Sequence, residues 1–583
     1  MTSTTSDHPT TDRRMMLSSP LVLLAVVVVV LAVLLALPLT VPIGPQYWDL
    51  FIYFDAANRI FDGQFPSVDF FAPVGPLGYW LFALLIEIFP RAQPLFLVQW
   101  SLLVVTAPLM ALILLDVDRR SRSVALALLV PFLIFSILPV NIEEYSHFPS
   151  VDGYGIYNRQ TVHLLYVLTA ALALVRGKKT LLMVVAVCAL ALFLGKITGF
   201  VAAMILCLFA FAVGRLALSV AFGAALVFLA GLGALEALTG VVSAYVRDIL
   251  ALVFLNEGEL LPRFVQAASI HFGVFASGCL LVLALLLMRP QRPASPASPP
   301  PSAFVRVQTF LDGDACWLAV VLFAALFFET QNTGGQAFIF IWPVLLVVLI
   351  HATRFHGRGL VVIFSLVAAT VLPTTVDILH RSARAFIGQI KYEKLANQHL
   401  KTLGAVNQRS EFMAHARTML DVYQRFPQTY QYIADQGELP GFTLYTDPDF
   451  QITWLMAVDQ AVDAILGYEA DHAVRFETIM NLNFVNPFPW LLDRHAPRLV
   501  AIGADPYRAV PPPSDAVLAE VARTDLVLYP KCPITGANIA LRTIYQAGLE
   551  GHQRVALSPC WDGYIRTGLR SADRPAGDTA PVQ

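Results

Sequence analysis

Charged residues are scarce in this chain, and their scarcity excludes most classes of water-soluble protein. Asp, Glu, Lys and Arg make up 14% of the 583 residues, whereas 57% are hydrophobic and the mean hydropathy is +0.65. A soluble protein of ordinary composition carries about 25% charged residues. So few charges cannot cover the surface of one or several soluble domains, and the composition therefore predicts a membrane protein.

Two other shortages exclude further classes. The 39 basic residues are balanced by 41 acidic ones, so the sequence offers no excess of positive charge for binding nucleic acid. Six cysteines in 583 residues are too few for a disulfide-rich scaffold. The absence of a CxxC pair argues against a zinc ribbon or a thioredoxin-like site.

Long apolar runs fill the first two thirds of the chain. Crossing about 30 Å of hydrocarbon takes roughly 17 to 25 apolar residues in a helix. About eleven runs approach that length, at 20–41, 95–115, 123–140, 160–175, 180–195, 198–214, 216–239, 270–288, 314–328, 336–352 and 359–376. The first run is longer than a signal peptide's apolar core and has no clear cleavage site after it, which favours a retained helix.

Basic residues in alternate loops predict the orientation. Short cytoplasmic loops retain Lys and Arg. With residues 1–19 as a cytoplasmic tail, the basic residues on that side are Arg119, Arg120, Arg122, Arg176, Lys178, Lys179, Arg215, Arg289, Arg292, Arg306, Arg354 and Arg358. The Pro- and Ser-rich stretch within 289–306 then becomes a cytoplasmic linker. The pattern predicts a multi-pass protein of the inner (plasma) membrane, with its membrane part at 20–376.

Residues 377–583 have an ordinary composition and predict a soluble domain on the outer, periplasmic or extracellular side. A helical part from Arg384 to about Gln436 precedes short β-like runs at 442–446, 498–503 and 525–530, which predicts an α/β fold. The domain contains no GxGxxG or GxxxxGK phosphate loop. Its two cysteines, Cys532 and Cys560, are expected to pair in an oxidising compartment.

Acidic residues of the membrane part collect in two outer loops among aromatic residues. The first loop, 45–80, contains Asp49, Asp55, Asp62, Asp69 and Arg59, and the second, 141–160, contains Glu143, Glu144, His147, Asp152 and Arg159. Carboxylates embedded among Trp, Tyr and Phe are typical of a site at the membrane interface, where ionisable groups tend to be functional.

Each candidate in the first loop also has a structural interpretation. Asp55 and Arg59 are spaced i and i+4, so a helix would place them on one face, where they form either a functional pair or a simple salt bridge. Asp49 follows Trp48 at the end of the first apolar run. It is either a lone carboxylate acting as a base or a helix N-cap.

Polar groups on the outer side of later spans are candidates for binding a substrate. Lys196 lies in the motif LGKITG between two apolar runs, where its ammonium either binds a lipid phosphate or reaches the interface by snorkelling. The loop 329–336 adds Glu329, Gln331 and Asn332 on the same side.

The order of these features resembles the GT-C superfamily of membrane glycosyltransferases, which includes protein O-mannosyltransferases and the lipid A aminoarabinose transferase. The resemblance lies in the span ending at Trp48-Asp49, the following "GQFPSVDFFAPVGPLGYW", the LGKITG motif and a soluble domain after the last span. It implies transfer of a sugar from a polyprenyl-phosphate donor to a hydroxyl of a lipid or cell-envelope glycan on the outer face, in one inverting displacement. The loop-one carboxylate that acts as the base in the family matches Asp49. Leu50 follows it where protein mannosyltransferases have Asp-Glu, which weakens a protein acceptor and leaves Asp55 as a competing base.

Sugar transfer needs a base for the acceptor hydroxyl and positive charge for the departing phosphate. Asp49 or Asp55 could supply the base. Lys196, Arg59 and Arg159 are the candidates for the donor phosphate, and Tyr53, Asp69, Glu329, Gln331 and Asn332 for other substrate groups. A divalent cation such as Mg²⁺, Mn²⁺ or Ca²⁺ could be held by Glu143, Glu144, His147 and Asp152, unless that loop is only a solvated hairpin.

A polytopic transporter or flippase of a lipid-linked or polar substrate is the alternative function. It predicts ionisable residues near the middle of spans and a repeat that relates the two halves. The clustering of carboxylates in two outer loops favours the enzyme. A non-catalytic membrane anchor explains neither the loops nor the number of spans.

Overall fold

The computed structural model describes residues 19–141, 148–255, 260–288, 302–331, 336–438 and 448–569. It divides into two compact units. Unit 1 comprises Met1–Leu39, Val74–Ser243 and Glu257–Ile387, and unit 2 comprises Thr40–Pro73, Ala244–Asn256 and Gly388–Gln583. The sequence had placed the first outer loop with the membrane part, whereas the structure groups residues 40–73 with the C-terminal residues.

Seventeen helices are described up to residue 388. They are α1 (Pro20–Leu35), α2 (Leu50–Phe61), α3 (Leu77–Ile88), α4 (Pro94–Ser101), α5 (Leu103–Asp118), α6 (Arg122–Ile137), α7 (Ile156–Leu174), α8 (Lys178–Gly195), α9 (Ile197–Ala212), α10 (Leu218–Thr239), α11 (Val241–Leu255), α12 (Leu260–Ile270), α13 (Phe272–Leu287), α14 (Ala303–Leu311), α15 (Asp314–Glu329), α16 (Trp342–His351) and α17 (Arg358–Gly388).

All eleven predicted apolar runs are largely helical. By length and composition three described helices could cross a membrane, namely Lys178–Gly195, Leu218–Thr239 and Arg358–Lys391, or up to six if three bent helix pairs each count as one span. The predicted number of about eleven spans stays a prediction. The structure adds α3, an apolar helix that the sequence analysis left unassigned; its 12 residues extend about 18 Å, too short to cross the hydrocarbon.

Helix α7 lies at the centre of unit 1. All but three of its nineteen residues are buried, because α5, α6, α8, α9 and α16 all pack against it. Its contact with α9 depends on Gly199, where a Cβ atom would overlap the Cγ2 of Thr161. The absence of a side chain at this position lets the start of α9 approach α7 closely.

Unit 2 contains two small sheets. Three short strands, β1 (Val41–Pro42), β2 (Glu393–Lys394) and β3 (Val406–Gln408), are ordered β1-β3-β2, with β1 parallel and β2 antiparallel to β3. The second sheet has the order β4-β5-β7-β6 and is formed by β4 (Ile479–Asn481), β5 (Leu526–Pro530), β6 (His552–Ser558) and β7 (Trp561–Arg566). The described helices of this part are α18 (Ser410–Arg425), α19 (Pro427–Asp435), α20 (Pro448–His472), α21 (Phe488–Leu492), α22 (Asp515–Arg523) and α23 (Gly536–Ile544).

Predictions for the C-terminal strands had mixed outcomes. The predicted strand at 525–530 is confirmed as β5, which begins one residue later, at Leu526. The run at 442–446 lies outside the described residues. The predicted strand at 498–503 is wrong: the backbone amides of Leu499 and Ile502 donate to the carbonyls of Asp69 and Phe71 in the first loop, at 2.6 and 3.0 Å. This segment binds another loop, and Leu499 has a φ of 63°, which interrupts an extended strand.

Contacts with the C-terminal residues begin just before the first outer loop and continue within it. Strand β1 pairs with β3, the Tyr47 hydroxyl donates to the Leu403 carbonyl at 3.1 Å, and Asn58 Nδ2 donates to the Arg494 carbonyl at 3.0 Å. These contacts join residues more than 350 positions apart, so no local sequence pattern could show them. The predicted disulfide between Cys532 and Cys560 is present in the same unit.

Candidate functional site

Lys196 occupies the break between α8 and α9 in unit 1. Its backbone is extended, and it is the N-cap residue of α9 without a side-chain capping bond. Its Nζ donates to Asn158 Oδ1 at 2.6 Å and lies 5.3 Å from the centre of the Tyr157 ring and 5.0 Å from that of Phe328. The ammonium is thus buried between aromatic rings, with a neutral amide beside it.

The surroundings of Lys196 favour an anion. Asn158 lies in the first turn of α7, and Lys196 immediately precedes the first turn of α9, so two helix N-termini meet near the ammonium. Helix N-termini carry partial positive charge and present backbone N–H groups, as phosphate-binding sites do. The end of the first loop also reaches this place, because the Gly75 amide donates to the Gly195 carbonyl at 3.0 Å.

Arg159 is held in a network beside Asn158. Its guanidinium donates to Asn141 Oδ1 at 3.1 Å, to Gln99 Oε1 at 3.2 Å and to the Asp152 carbonyl at 2.6 Å, and only 1% of the residue is exposed. These bonds fix the second outer loop on α7. Arg159 therefore positions this loop, and its direct contact with a donor phosphate stays a prediction.

Acidic and amide groups of the 329–336 loop lie in the same buried region. Glu329 is 3% exposed, attracts Lys196 electrostatically, and has Oε2 3.7 Å from His271 Nε2. Gln336 donates to Asn141 Oδ1 at 2.6 Å. Gln331 is half-buried, and Asn332 lies outside the described residues. Glu329 is thus the member of this predicted set that the structure brings to Lys196.

The predicted metal ligands are described only in part. Glu143, Glu144 and His147 lie outside the described residues, so their role stays a prediction. The Asp152 carboxylate accepts a hydrogen bond from the Asn141 backbone amide at 2.7 Å and lies 3.9 Å from Arg381 Nη1. A guanidinium beside this carboxylate disfavours a cation there, and in the described part of the chain no group of three or more His, Cys, Asp or Glu could hold a metal.

Asp49 of unit 2 is the last residue of a short turn that Trp48 holds in place. Tyr47–Asp49 form a 3₁₀ turn, with Gln46 in the left-handed region. The Trp48 amide donates to Gln451 Oε1 at 3.1 Å, and its indole packs against Phe484 and donates to Gln46 Oε1 at 2.8 Å. Asp49 stands at the N-cap position of α2 but makes no capping hydrogen bond with its side chain, and the residue is half-buried. The turn therefore presents the Asp49 carboxylate on a rigid support.

Asp55 and Arg59 form a buried salt bridge on α2. Arg59 Nε lies 2.8 Å from Asp55 Oδ1, and the two residues are 1% and 3% exposed. Arg59 also donates to the Pro497 carbonyl at 2.5 Å and lies 5.1 Å from the centre of the Phe70 ring. The pair fastens α2 to the C-terminal part of unit 2. This agrees with the structural interpretation of the pair, whereas the roles of Asp55 as a base and of Arg59 as a phosphate ligand stay predictions.

The remaining candidates in the first loop are also structural. Asp69 accepts the Phe65 amide at 2.8 Å and lies 3.3 Å from Arg498, so it closes a turn and holds the 498–503 segment. Tyr53 is 4% exposed within α2. The roles of Asp69 and Tyr53 in binding a substrate stay predictions.

Sequence reasoning missed several members of the buried network in unit 1. Asn141, Asn158, Gln336 and Arg381 all belong to it, and the guanidinium of Arg381 donates to the Asn141 carbonyl. Amides carry no charge signal, so only their position at helix ends could have suggested them. Arg381 lies beyond the last apolar run and was counted with the soluble domain.

Comparisons with known proteins gave matches by structure. No protein-family model and no curated protein matches the chain. The structure of ArnT from Cupriavidus metallidurans in the apo state is similar over 93% of this chain and 97% of that chain, with 12% identity and a TM-score of 0.32. The archaeal oligosaccharyltransferase AglB from Archaeoglobus fulgidus, in complex with an inhibitory peptide and a dolichol-phosphate, is similar over 94% of this chain and 74% of that chain, with 12% identity and a TM-score of 0.36.

Both similarities are at 12% identity, with TM-scores of 0.32 and 0.36. At this identity and these TM-scores they carry no argument about activity. The proposal below therefore rests on the residues of this chain.

Proposed function

We propose that this protein is a membrane glycosyltransferase of the GT-C type. It takes a sugar from a polyprenyl-phosphate donor and transfers it to a hydroxyl of a lipid or cell-envelope glycan on the outer face of the membrane. The observation that supports the proposal best is the buried Lys196, held by Asn158 where α7 and α9 both begin.

Lys196 is suited to the phosphate of the donor. Sugar transfer leaves a phosphate carrying additional negative charge, and preorganised positive charge at that place lowers the barrier. The ammonium and the two helix N-termini provide such charge without rearrangement. The rings of Tyr157 and Phe328 give the site apolar walls, which suit a phosphate attached to a hydrocarbon chain.

Asp49 is the better candidate for the base. In the proposed reaction the acceptor hydroxyl oxygen attacks the anomeric carbon, its proton passes to the Asp49 carboxylate, and the bond from that carbon to the phosphate oxygen breaks with inversion. A general base must reach the hydroxyl proton. Asp49 is half-buried directly before α2, whereas Asp55 is buried in a salt bridge with Arg59.

The transporter alternative is disfavoured by the placement of the buried charges within unit 1. Lys196 lies at a helix junction, Glu329 at the end of α15 and Arg159 in the first turn of α7. A transport pathway predicts ionisable groups near the middle of spans. Charged residues at helix ends are better suited to a site that opens to one side of the membrane.

The test uses purified full-length protein in lipid, with a radiolabelled polyprenyl-phosphate sugar and a membrane extract as the source of acceptor. We expect label to move to a lipid or glycan product, and the transfer to require Lys196 and Asp49. Donor movement across liposomes without any glycosyl product would contradict the proposal and support the transporter.

A further inference from the structure

Unit 1 contains a second candidate site, at the opposite end of α8 from Lys196. A cavity of about 650 Å³ is lined by residues from the α5–α6, α7–α8 and α9–α10 turns and from α16. Its basic lining residues are Arg120, Arg176, Lys178, Arg215 and His351, and among the described residues no Asp or Glu lines it. Lys178 begins α8 and Lys196 follows its end, so about 27 Å of helix separates this cavity from the candidate donor site.

Carboxylates that do not line the cavity hold three of these basic side chains. Arg120 lies 2.7 Å from Asp116, and Arg215 lies 2.7 Å from Asp312. His351 Nδ1 lies 2.8 Å from Asp314. Ion pairs with these carboxylates therefore hold the side chains of Arg120, Arg215 and His351 in place at the cavity.

Arg176 and Lys178 are arranged differently. Their side chains are exposed and form no ion pair within the described part of the chain. The carboxylate of Asp116 is directed at the backbone amides of Arg176 and Gly177, at 3.1 and 2.9 Å. The α7–α8 turn is therefore fixed in position while its two side-chain charges stay available to a ligand.

Most of the other residues that line the cavity are apolar. Val117, Val124, Leu181, Val220 and Val347 line it. A small inorganic anion gains nothing from such a wall, whereas a lipid can place its phosphate among the basic groups and its glycerol and acyl carbons against the valines and leucine. Basic pockets between transmembrane helices on the cytoplasmic side bind anionic lipid headgroups, and the basic loops here are those predicted to face the cytoplasm.

We infer that this cavity binds the phosphate headgroup of an anionic phospholipid. The inference does not depend on the proposed glycosyltransferase activity, because it uses none of the residues assigned to the donor or the base. The lipid contacts Arg176 and Lys178, where α7 ends and α8 begins.

The test is native mass spectrometry of the full-length protein titrated with phosphatidylglycerol or with phosphatidylcholine. The variant carries Arg176→Gln and Lys178→Gln. A matched control carries Arg119→Gln and Lys179→Gln. These two basic residues do not line the cavity, but each is the sequence neighbour of a residue that does. We expect the affinity for phosphatidylglycerol to fall roughly tenfold or more in the first variant and to change less than about twofold in the control.

Three results would overturn the inference. Equal loss in both variants would show attraction by diffuse surface charge, and no loss in either would show that the cavity is not the site. Binding of inorganic phosphate without lipid, with displacement of phosphatidylglycerol by it, would assign the cavity to a free anion. The single variants Arg176→Gln and Lys178→Gln, each with unchanged elution on size exclusion, keep the comparison valid if the double variant folds poorly.

Discussion

The ammonium of Lys196 donates a 2.6 Å hydrogen bond to the side-chain oxygen of Asn158. The bond joins the junction of α8 and α9 to the first turn of α7, across 38 positions of sequence. It aims a buried positive charge at a place where two helices begin. The candidate donor site is therefore built from helix ends, with one amide orienting the ammonium.

The charge of Lys196 is expected to be essential for transfer. In Lys196→Gln we expect the transfer rate to fall by about 10² to 10³, the usual effect of removing one preorganised group that stabilises developing negative charge. Lys196→Arg should restore part of the activity. Single-turnover transfer from a radiolabelled polyprenyl-phosphate sugar gives the measurement, and Lys179→Gln is the control. A Lys196→Gln enzyme as fast as the parent would exclude the site.

Asp49→Asn is expected to abolish the base while leaving the fold intact. General-base catalysis contributes roughly 10² to 10⁴ in rate, so kcat should drop by at least about 100-fold at unchanged thermal stability. Asp62→Asn, a half-buried carboxylate in the same loop, is the matched control and should retain activity. Loss of activity in both variants to the same degree would point to a general effect on the loop.

Asp55→Ala is expected to act on stability. The change leaves Arg59 buried without its carboxylate, and breaking a buried pair in this way costs about 3 to 5 kcal/mol. We expect a lower melting temperature and a lower folded yield, and folded molecules that still transfer sugar. The double variant Asp55→Leu with Arg59→Met removes both charges and should recover much of the stability. Full stability but no transfer in Asp55→Asn would restore Asp55 as the base.

Gly199→Ala is expected to displace Lys196 indirectly. The added methyl would overlap Thr161 Cγ2, so α9 must move away from α7, and such overpacking costs about 1 to 3 kcal/mol. Gly233 in α10 has open space around it, and Gly233→Ala is therefore the control, neutral or slightly stabilising. Melting temperature and donor affinity are measured for both. The close contact of α9 with α7 would be refuted by equal behaviour of the two variants.

Asp248 on α11, which is not a candidate span, is expected to make the first loop sensitive to pH. Burial raises the pKa of Asp248 from 3.8 to about 7, while contacts with Ser67, the Ala72 backbone and Arg247 lower it less. Between about pH 4 and pH 7 the folded state therefore keeps a proton on Asp248 that the unfolded state has lost. The contribution of Asp248 to the free energy of unfolding is complete below about pH 4 and is lost as the pH rises through 7.

Hydrogen exchange measures this effect. After correction for intrinsic rates, residues 65–73 should exchange more slowly at pH 5 than at pH 8. Asp248→Asn should exchange slowly at both, and the exposed Glu550→Gln variant should behave like the parent. A pH response that persists in Asp248→Asn would assign it to another group.

The sequence by itself determined the helices of unit 1 and the types of residue at the site. Apolar runs form helices because a chain in hydrocarbon must satisfy its own backbone hydrogen bonds, and that requirement is local. Asp49 and Lys196 could also be proposed from the sequence as functional residues, because a charge beside an apolar run is costly unless it is used. The pairing of Cys532 with Cys560 followed from their being the cysteines of the C-terminal part.

Only the tertiary structure decided which of these residues act together. Asp49 and Asp55 look alike in sequence, but burial and a partner four residues away commit Asp55 to the fold. The 498–503 run has the composition of a strand, yet its amides bind the first loop, which lies more than 400 positions away. Only the structure shows the roles of Asn158, Asn141 and Gln336, because an uncharged amide acquires its role from the group that it contacts.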